Sequence, residues 1–120
     1  MNRWILLEHE IFRDNFYEKH YDFLVEMDQD CLTWKFFKIP LPNKESVEIF
    51  PQENHRLIWL TRNKKILSNG RGVVTKKDSG TYKNVCKELN TQTFSLILNG
   101  KLLSGKFNKT ENFCWLTSDY

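Results

Sequence analysis

The sequence has little with which to cross-link itself, and no segment long and apolar enough for a bilayer. Its 120 residues include only three cysteines, Cys31, Cys86 and Cys114. An odd number at wide spacing, with no CxxC, argues against a disulfide framework and a zinc knuckle. The expected compartment is therefore a reducing cytoplasm. The apolar stretch Trp4 to Leu7 is far too short for a signal peptide or a transmembrane helix. With no lipidation motif either, no membrane partner is expected. There is no GxxxxGK[ST], no GxSxG and no convincing Cys–His pair, which removes the P-loop and the common nucleophile architectures. Repeats and low-complexity segments are absent too. Charge of one sign is scarcely in excess: 18 Lys+Arg oppose 15 Asp+Glu, for a net +3. That balance permits contact with nucleic acid but lacks the dense basic face of a dedicated DNA binder.

What the sequence does have is aromatic and β-branched residues in short runs. Aromatics make up 14% of the chain, enough for one core, and the length suits a single domain over 1–120 rather than two. Strands are expected near 3–8, 20–27, 31–38, 46–50, 57–61, 71–76, 79–84, 92–98, 102–107 and 113–117. Turn residues punctuate them at Asp28-Gln29-Asp30, Pro40-Leu41-Pro42-Asn43, Ser68-Asn69-Gly70, Asp78-Ser79-Gly80 and Asn99-Gly100. Only residues 11–19 suggest a turn or two of helix, or a loop excursion. The fold class is therefore all-β, a compact single-domain barrel or sandwich.

One expected strand carries chemistry. Tyr21, Phe23, Val25 and Met27 alternate with His20, Asp22, Leu24 and Glu26, and successive side chains in a strand face opposite ways. One face is apolar; the other sets an imidazole beside a carboxylate, roughly 6–7 Å apart along the chain. Such a pair is either a surface ion pair or two ligands of a divalent metal. Either of the other two histidines, His9 and His55, would complete a set. An iron facial triad is disfavoured by the short chain and by a third histidine, His55, only 35 residues after His20. Parity puts His55 beside Leu57 and Trp59, a structural setting unless a bulge or strand end frees it. Lys38 shares parity with Leu32, Trp34 and Phe36, so it must snorkel or have an anionic partner such as a bound phosphate, unless it simply sits at an exposed strand end. Asn69-Gly70-Arg71-Gly72 is a turn that can also present N–H groups and a guanidinium to a phosphate. Arg62-Asn63-Lys64-Lys65 reads as a solvated loop.

The order of these signals resembles a known family. Leu6-Leu7-Glu8-His9 precedes His20-Tyr21-Asp22-Phe23-Leu24-Val25-Glu26-Met27-Asp28, then Leu32-Thr33-Trp34 and Lys38. Asn54-His55-Arg56-Leu57, Gly70-Arg71-Gly72-Val73-Val74-Thr75 and Asp78-Ser79-Gly80-Thr81-Tyr82 follow. This is similar to the 3′-phosphoesterase domain of bacterial end-joining DNA ligase D, in its short stand-alone form. The resemblance implies a compact β-barrel with a metal site on its concave face. It further implies metal-dependent trimming of nucleic-acid 3′ ends, removing a terminal ribonucleoside and then the 3′-phosphate. The implied cofactor is Mn²⁺, with Zn²⁺ or Co²⁺ as alternatives.

Carried over residue by residue, the resemblance makes His20 and Asp22 metal ligands. The third ligand is His9 if residues 10–19 contain an insertion of about five residues, or Asp14 if they do not; the Leu-Glu-His context at the end of the first strand favours His9. His55 and Lys38 fall beside the scissile phosphate, and Arg56 and Arg71 are candidate phosphate contacts. The implied partners are DNA or RNA 3′ ends, with ligase, polymerase or Ku-type repair proteins supplied in trans. Three positions depart from the family: Leu24 and Val47 stand where it has arginines, and Trp59 where it has a tyrosine. The alternative expectation is thus a catalytically weak or silent barrel that binds nucleic acid or a repair partner.

Overall fold

The structure, a computed structural model, describes residues 2–85 and 92–118; Cys86 lies outside them. Its strands are β1 (Arg3–Arg13), β2 (Phe16–Glu26), β3 (Cys31–Phe36), β4 (Val47–Glu48), β5 (Phe50–His55), β6 (Lys64–Leu67), β7 (Gly72–Asn84), β8 (Phe94–Asn99), β9 (Ser104–Lys109) and β10 (Phe113–Thr117). They form one antiparallel sheet ordered β4-β10-β9-β8-β7-β1-β2-β3-β5, with β6 added beside β7. The terminal strands β4 and β5 are consecutive in the chain, separated by Ile49 alone. No ladder joins them, but a single run of chain forms both edges. The result is barrel-like without hydrogen-bonded closure. No described helix is long and apolar enough to cross a membrane.

Strand alternation builds two apolar layers. Trp4 and Leu6 of β1 and Phe23 and Val25 of β2 join Trp34, Phe36, Leu96 and Phe107 in the principal core. Phe23 is fully buried, and its ring lies 4.8 Å from Phe107 and 5.9 Å from Trp4. The opposite face of the same strands, with Ile5, Leu7 and Leu24, meets Cys31, Leu60 and Val74 in a second cluster. The centre of β1 and β2 is therefore buried on both sides, and their ends are freer to carry polar groups.

Four local expectations change. Residues 11–19 are neither helix nor loop excursion: β1 and β2 pair continuously out to Arg13↔Phe16. Asp14 turns the chain with φ +47. Ile11, Phe12, Phe16 and Tyr17 favour a pleated strand, and the inner register simply propagates outward. Residues 57–61 form a 3₁₀ helix, not a strand. Three-residue spacing puts Leu57 and Leu60 on one side, against the second cluster. The supposed turn at 78–80 is a bulge within β7, where Leu6 pairs Asp78 and Leu7 pairs Lys76. Lys64 and Lys65 belong to β6, an edge strand, where lysines discourage further pairing.

A candidate metal centre on the first hairpin

The β1–β2 hairpin sets His9 directly opposite His20. Their rings meet edge to face at 4.8 Å. Asp22 lies two residues along the same face, and one donor atom from each of His9, His20 and Asp22 lies within 4.8 Å of the others. Asp14, at the turn, is not in this group. Side chains on the site's face point away from the principal core and continue the row of Ile5, Leu7 and Leu24.

Each imidazole has one nitrogen already committed. His9 Nε2 donates to the Arg71 carbonyl at 2.6 Å, leaving Nδ1 as its ligating atom. His20 Nδ1 is 3.1 Å from Glu18 Oε2, and its Nε2 is 3.4 Å from Asp22 Oδ1. A histidine oriented by a carboxylate through its outer nitrogen is the usual support of a metal-binding imidazole. Burial alone would push the His20 pKa down. The hydrogen bond and charge of Asp22, with the Glu18 bond, outweigh it and leave the pKa raised. Without a cation, His20 therefore favours a proton between itself and Asp22. Two neutral imidazoles and a carboxylate form a donor set suited to a first-row divalent metal, so the residues fit such an ion.

The Arg71 carbonyl is positioned by the β6–β7 turn. Asn69, Gly70 and Gly72 all have positive φ, and a Cβ on Gly72 would collide with the Glu10 backbone. The close approach of this turn to β1 is thus what brings a carbonyl onto His9. The Arg71 guanidinium folds back onto Ser68, so its contribution to the centre is a main-chain one.

The other expected residues lie elsewhere. His55 ends β5 on the same sheet face. Its Nδ1 is 3.1 Å from both Thr33 Oγ1 and the Glu53 carbonyl. Thr33 gives its proton to the Cys31 carbonyl, so Nδ1–H is the donor, and among the described residues no hydrogen bond occupies Nε2. Thr33 is the cross-strand partner of Leu24, which places both between His55 and Asp22. Arg56 is exposed beside His55. Lys38 lies just past β3 with its ammonium in solvent, 3.2 Å from Glu45. It is the exposed strand end that parity left open, and its anionic partner is a carboxylate rather than a phosphate.

Sequence reasoning missed two residues. Glu18 shares the face of His20 and Asp22 by simple alternation, a signal hidden by reading 11–19 as non-strand. Lys35 is directly opposite Asp22 in the β2–β3 ladder, and the expected turn at 28–30 already implied that register. Its Nζ sits 5.3 Å over the Phe37 ring, and that ring stands edge-on to His20 at 6.3 Å.

Comparison with known proteins adds one match. Residues 12–110 fit the family profile of the DNA Ligase D 3′-phosphoesterase domain. No curated protein matches the chain by sequence. The profile begins after His9, so the placement of that histidine rests on the hairpin register.

Proposed function

The chain belongs to the DNA ligase D 3′-phosphoesterase domain family, and on that premise we propose that it is a metal-dependent phosphoesterase acting on nucleic-acid 3′ ends. The reaction is removal of a 3′-terminal ribonucleoside and of a 3′-phosphate. The observation that carries this reading is the convergence of His9, His20 and Asp22 within 4.8 Å, with both imidazoles oriented from behind. When bound there, a divalent cation, Mn²⁺ with Zn²⁺ or Co²⁺ as alternatives, supplies charge to a non-bridging phosphate oxygen and acidifies a water. Glu18 accepts from Nδ1–H of His20 and so holds that imidazole in the tautomer that leaves Nε2 for the cation. His55, fixed through Nδ1, presents Nε2 to the phosphate; in its protonated, imidazolium form it gives the Nε2 proton to the departing oxygen as general acid. Arg56 is free to meet the strand beyond. The partners are DNA or RNA 3′ ends, with ligase, polymerase and Ku-type proteins supplied in trans. Cys31 and Cys114 are unpaired and buried, which suits a reducing cytoplasm.

A specific observation favours a second reading, a silent nucleic-acid-binding or repair-partner-binding barrel. Leu24 is fully buried in the second cluster, and Val47 is buried in the principal one. Neither position offers the phosphate a charge. The deciding assay uses a 5′-labelled primer–template with Mn²⁺, one primer ending in a 3′-ribonucleotide and another in a 3′-phosphate. Wild type is run beside His20→Ala and His55→Ala. Trimming by wild type alone supports the enzyme; an inert wild type that still binds the duplex supports the binder.

A further inference from the structure

We propose that Lys35 forms the phosphate-binding position of this site, in the role that Lys38 and an arginine at position 24 would otherwise fill. The inference rests on the phosphoesterase reading and adds to it a residue and a ligand class, a phosphate group on the β3 side of Asp22.

Register supplies the first argument. Lys35 is the direct cross-strand partner of Asp22, and such partners have Cβ atoms about 4.5–5.5 Å apart on one face. An opposed Lys and Asp would ordinarily pair. Here they do not: among the described residues, no carboxylate lies within ion-pair distance of the Lys35 ammonium. Asp22 Oδ1 instead faces His20.

Aromatic packing supplies the second. The ammonium is held over the Phe37 ring, and Phe37 in turn packs its ring edge to face with His20. A cation over an aromatic face is favourably placed and needs no counter-ion. The result is an unneutralised charge fixed beside the donor set. Apart from Arg56, exposed beside His55, the expected cations are committed elsewhere or missing. Lys38 pairs with Glu45, the Arg71 guanidinium returns to Ser68, and position 24 is a buried leucine. A phosphate whose oxygen meets a cation at His9, His20 and Asp22 has Lys35 as its neighbour across the β2–β3 ladder.

The test measures inorganic phosphate binding by titration calorimetry, with and without Mn²⁺, for wild type, Lys35→Met, Lys35→Arg and Lys38→Met. Mn²⁺ affinity and thermal midpoint are recorded for each. A charge-assisted contact to phosphate predicts a loss of about tenfold or more in Lys35→Met. Lys35→Arg restores binding, and Lys38→Met stays within twofold of wild type. Mn²⁺ affinity in Lys35→Met is unchanged or tighter, since a repelling charge has gone; a merely structural lysine would not give that pattern. Phosphate binding that survives Lys35→Met, or is lost only together with Mn²⁺ binding and fold, overturns the proposal. So does a wild type that binds no phosphate under either condition. A Lys35-dependent phosphate site in a protein that takes up no Mn²⁺ would uphold Lys35 and refute the metal reading.

Discussion

Replacing Glu18 by alanine removes the carboxylate that orients His20 from behind, and its effect on metal affinity can be worked out from the geometry. The His20 Nδ1 to Glu18 Oε2 contact is 3.1 Å, with the imidazole side chain 10% exposed and the carboxylate 35%. Outer-shell partners of metal-binding histidines are generally worth about 10- to 100-fold in affinity. A carboxylate one-third open to solvent belongs at the lower end, so Glu18→Ala should weaken Mn²⁺ binding about tenfold, or about 1.4 kcal/mol. Glu18→Gln keeps an acceptor but not the charge and should lose less. The deficit depends on pH in a fixed direction. Burial opposes a proton on His20, while Asp22 and Glu18 favour it and win. Removing Glu18 lowers that pKa, so protons compete less with the metal in the variant. The deficit is therefore largest above the imidazole titration and shrinks as pH falls. Calorimetric titration with Mn²⁺ over a pH series reads it, with a circular dichroism melt confirming an unchanged fold. Wild-type affinity in Glu18→Ala at high pH would refute the oriented-imidazole argument.

Two further predictions concern stability. The Asp78 carboxylate is 6% exposed and accepts N–H groups from Ser79, Lys101, Leu102 and Leu103 at 2.7–2.9 Å. Asp78→Ala strands these donors and should cost about 3–5 kcal/mol in urea unfolding, with Asp78→Asn intermediate; a loss under about 1 kcal/mol would contradict this. The Arg3 side-chain hydrogen bonds hold the Glu26 pKa below the carboxylate range against the opposing effect of burial. A depressed carboxylate stabilises the fold above its unfolded pKa, and that stability disappears as pH falls through the folded value. Arg3→Met should thus cost about 1–2 kcal/mol at neutral pH, after allowance for a half-exposed arginine, and should flatten the acid limb of a melting-temperature profile. A steeper acid limb would be the wrong sign.

Much of the site was legible because a strand repeats every two residues. Phe23 and Val25 declare the buried face of β2, and His20 and Asp22 then occupy the other without further information. His9 was harder, because linear counting offers Asp14 at the family spacing. The choice is made by the register His9↔His20, which depends on a turn at Asp14 that the segment's composition barely announces. Glu18 was lost with the same segment: once 11–19 is strand, 18, 20 and 22 share a face. The run Leu57 to Leu60 failed for a different reason. Four apolar residues in a row fit a buried strand or a helical turn equally well, and the choice was made by packing against Ile5, Leu7 and Leu24. Asp78-Ser79-Gly80 has turn composition, yet the loop beyond β8 uses its carboxylate as a local acceptor, and the strand runs on through a bulge.

The leucine at position 24 has a consequence beyond a missing guanidinium. Its side chain is fully buried among Ile5, Leu7, Leu60 and Val74, so the layer that backs the metal centre has closed over the place an arginine would need. Reinstating the family residue should therefore not reinstate the contact. Leu24→Arg loses the transfer energy of a buried leucine, about 1.5–3 kcal/mol, and forces a cation among apolar groups. The polar groups beside it on that face, Asp22, Glu26 and Thr33, each already have a partner. Breaking or omitting a buried charge pair costs about 3–5 kcal/mol, a large part of the stability of a domain this size. The expected result is a steep fall in the thermal midpoint and in soluble yield, with no gain in phosphate affinity. Leu24→Met, similar in volume and uncharged, should melt near wild type. If Leu24→Arg instead melts like wild type and binds phosphate more tightly, the second cluster is a pliable lining of the site rather than its packed support. Position 24 would then return as a competitor of Lys35 for the phosphate.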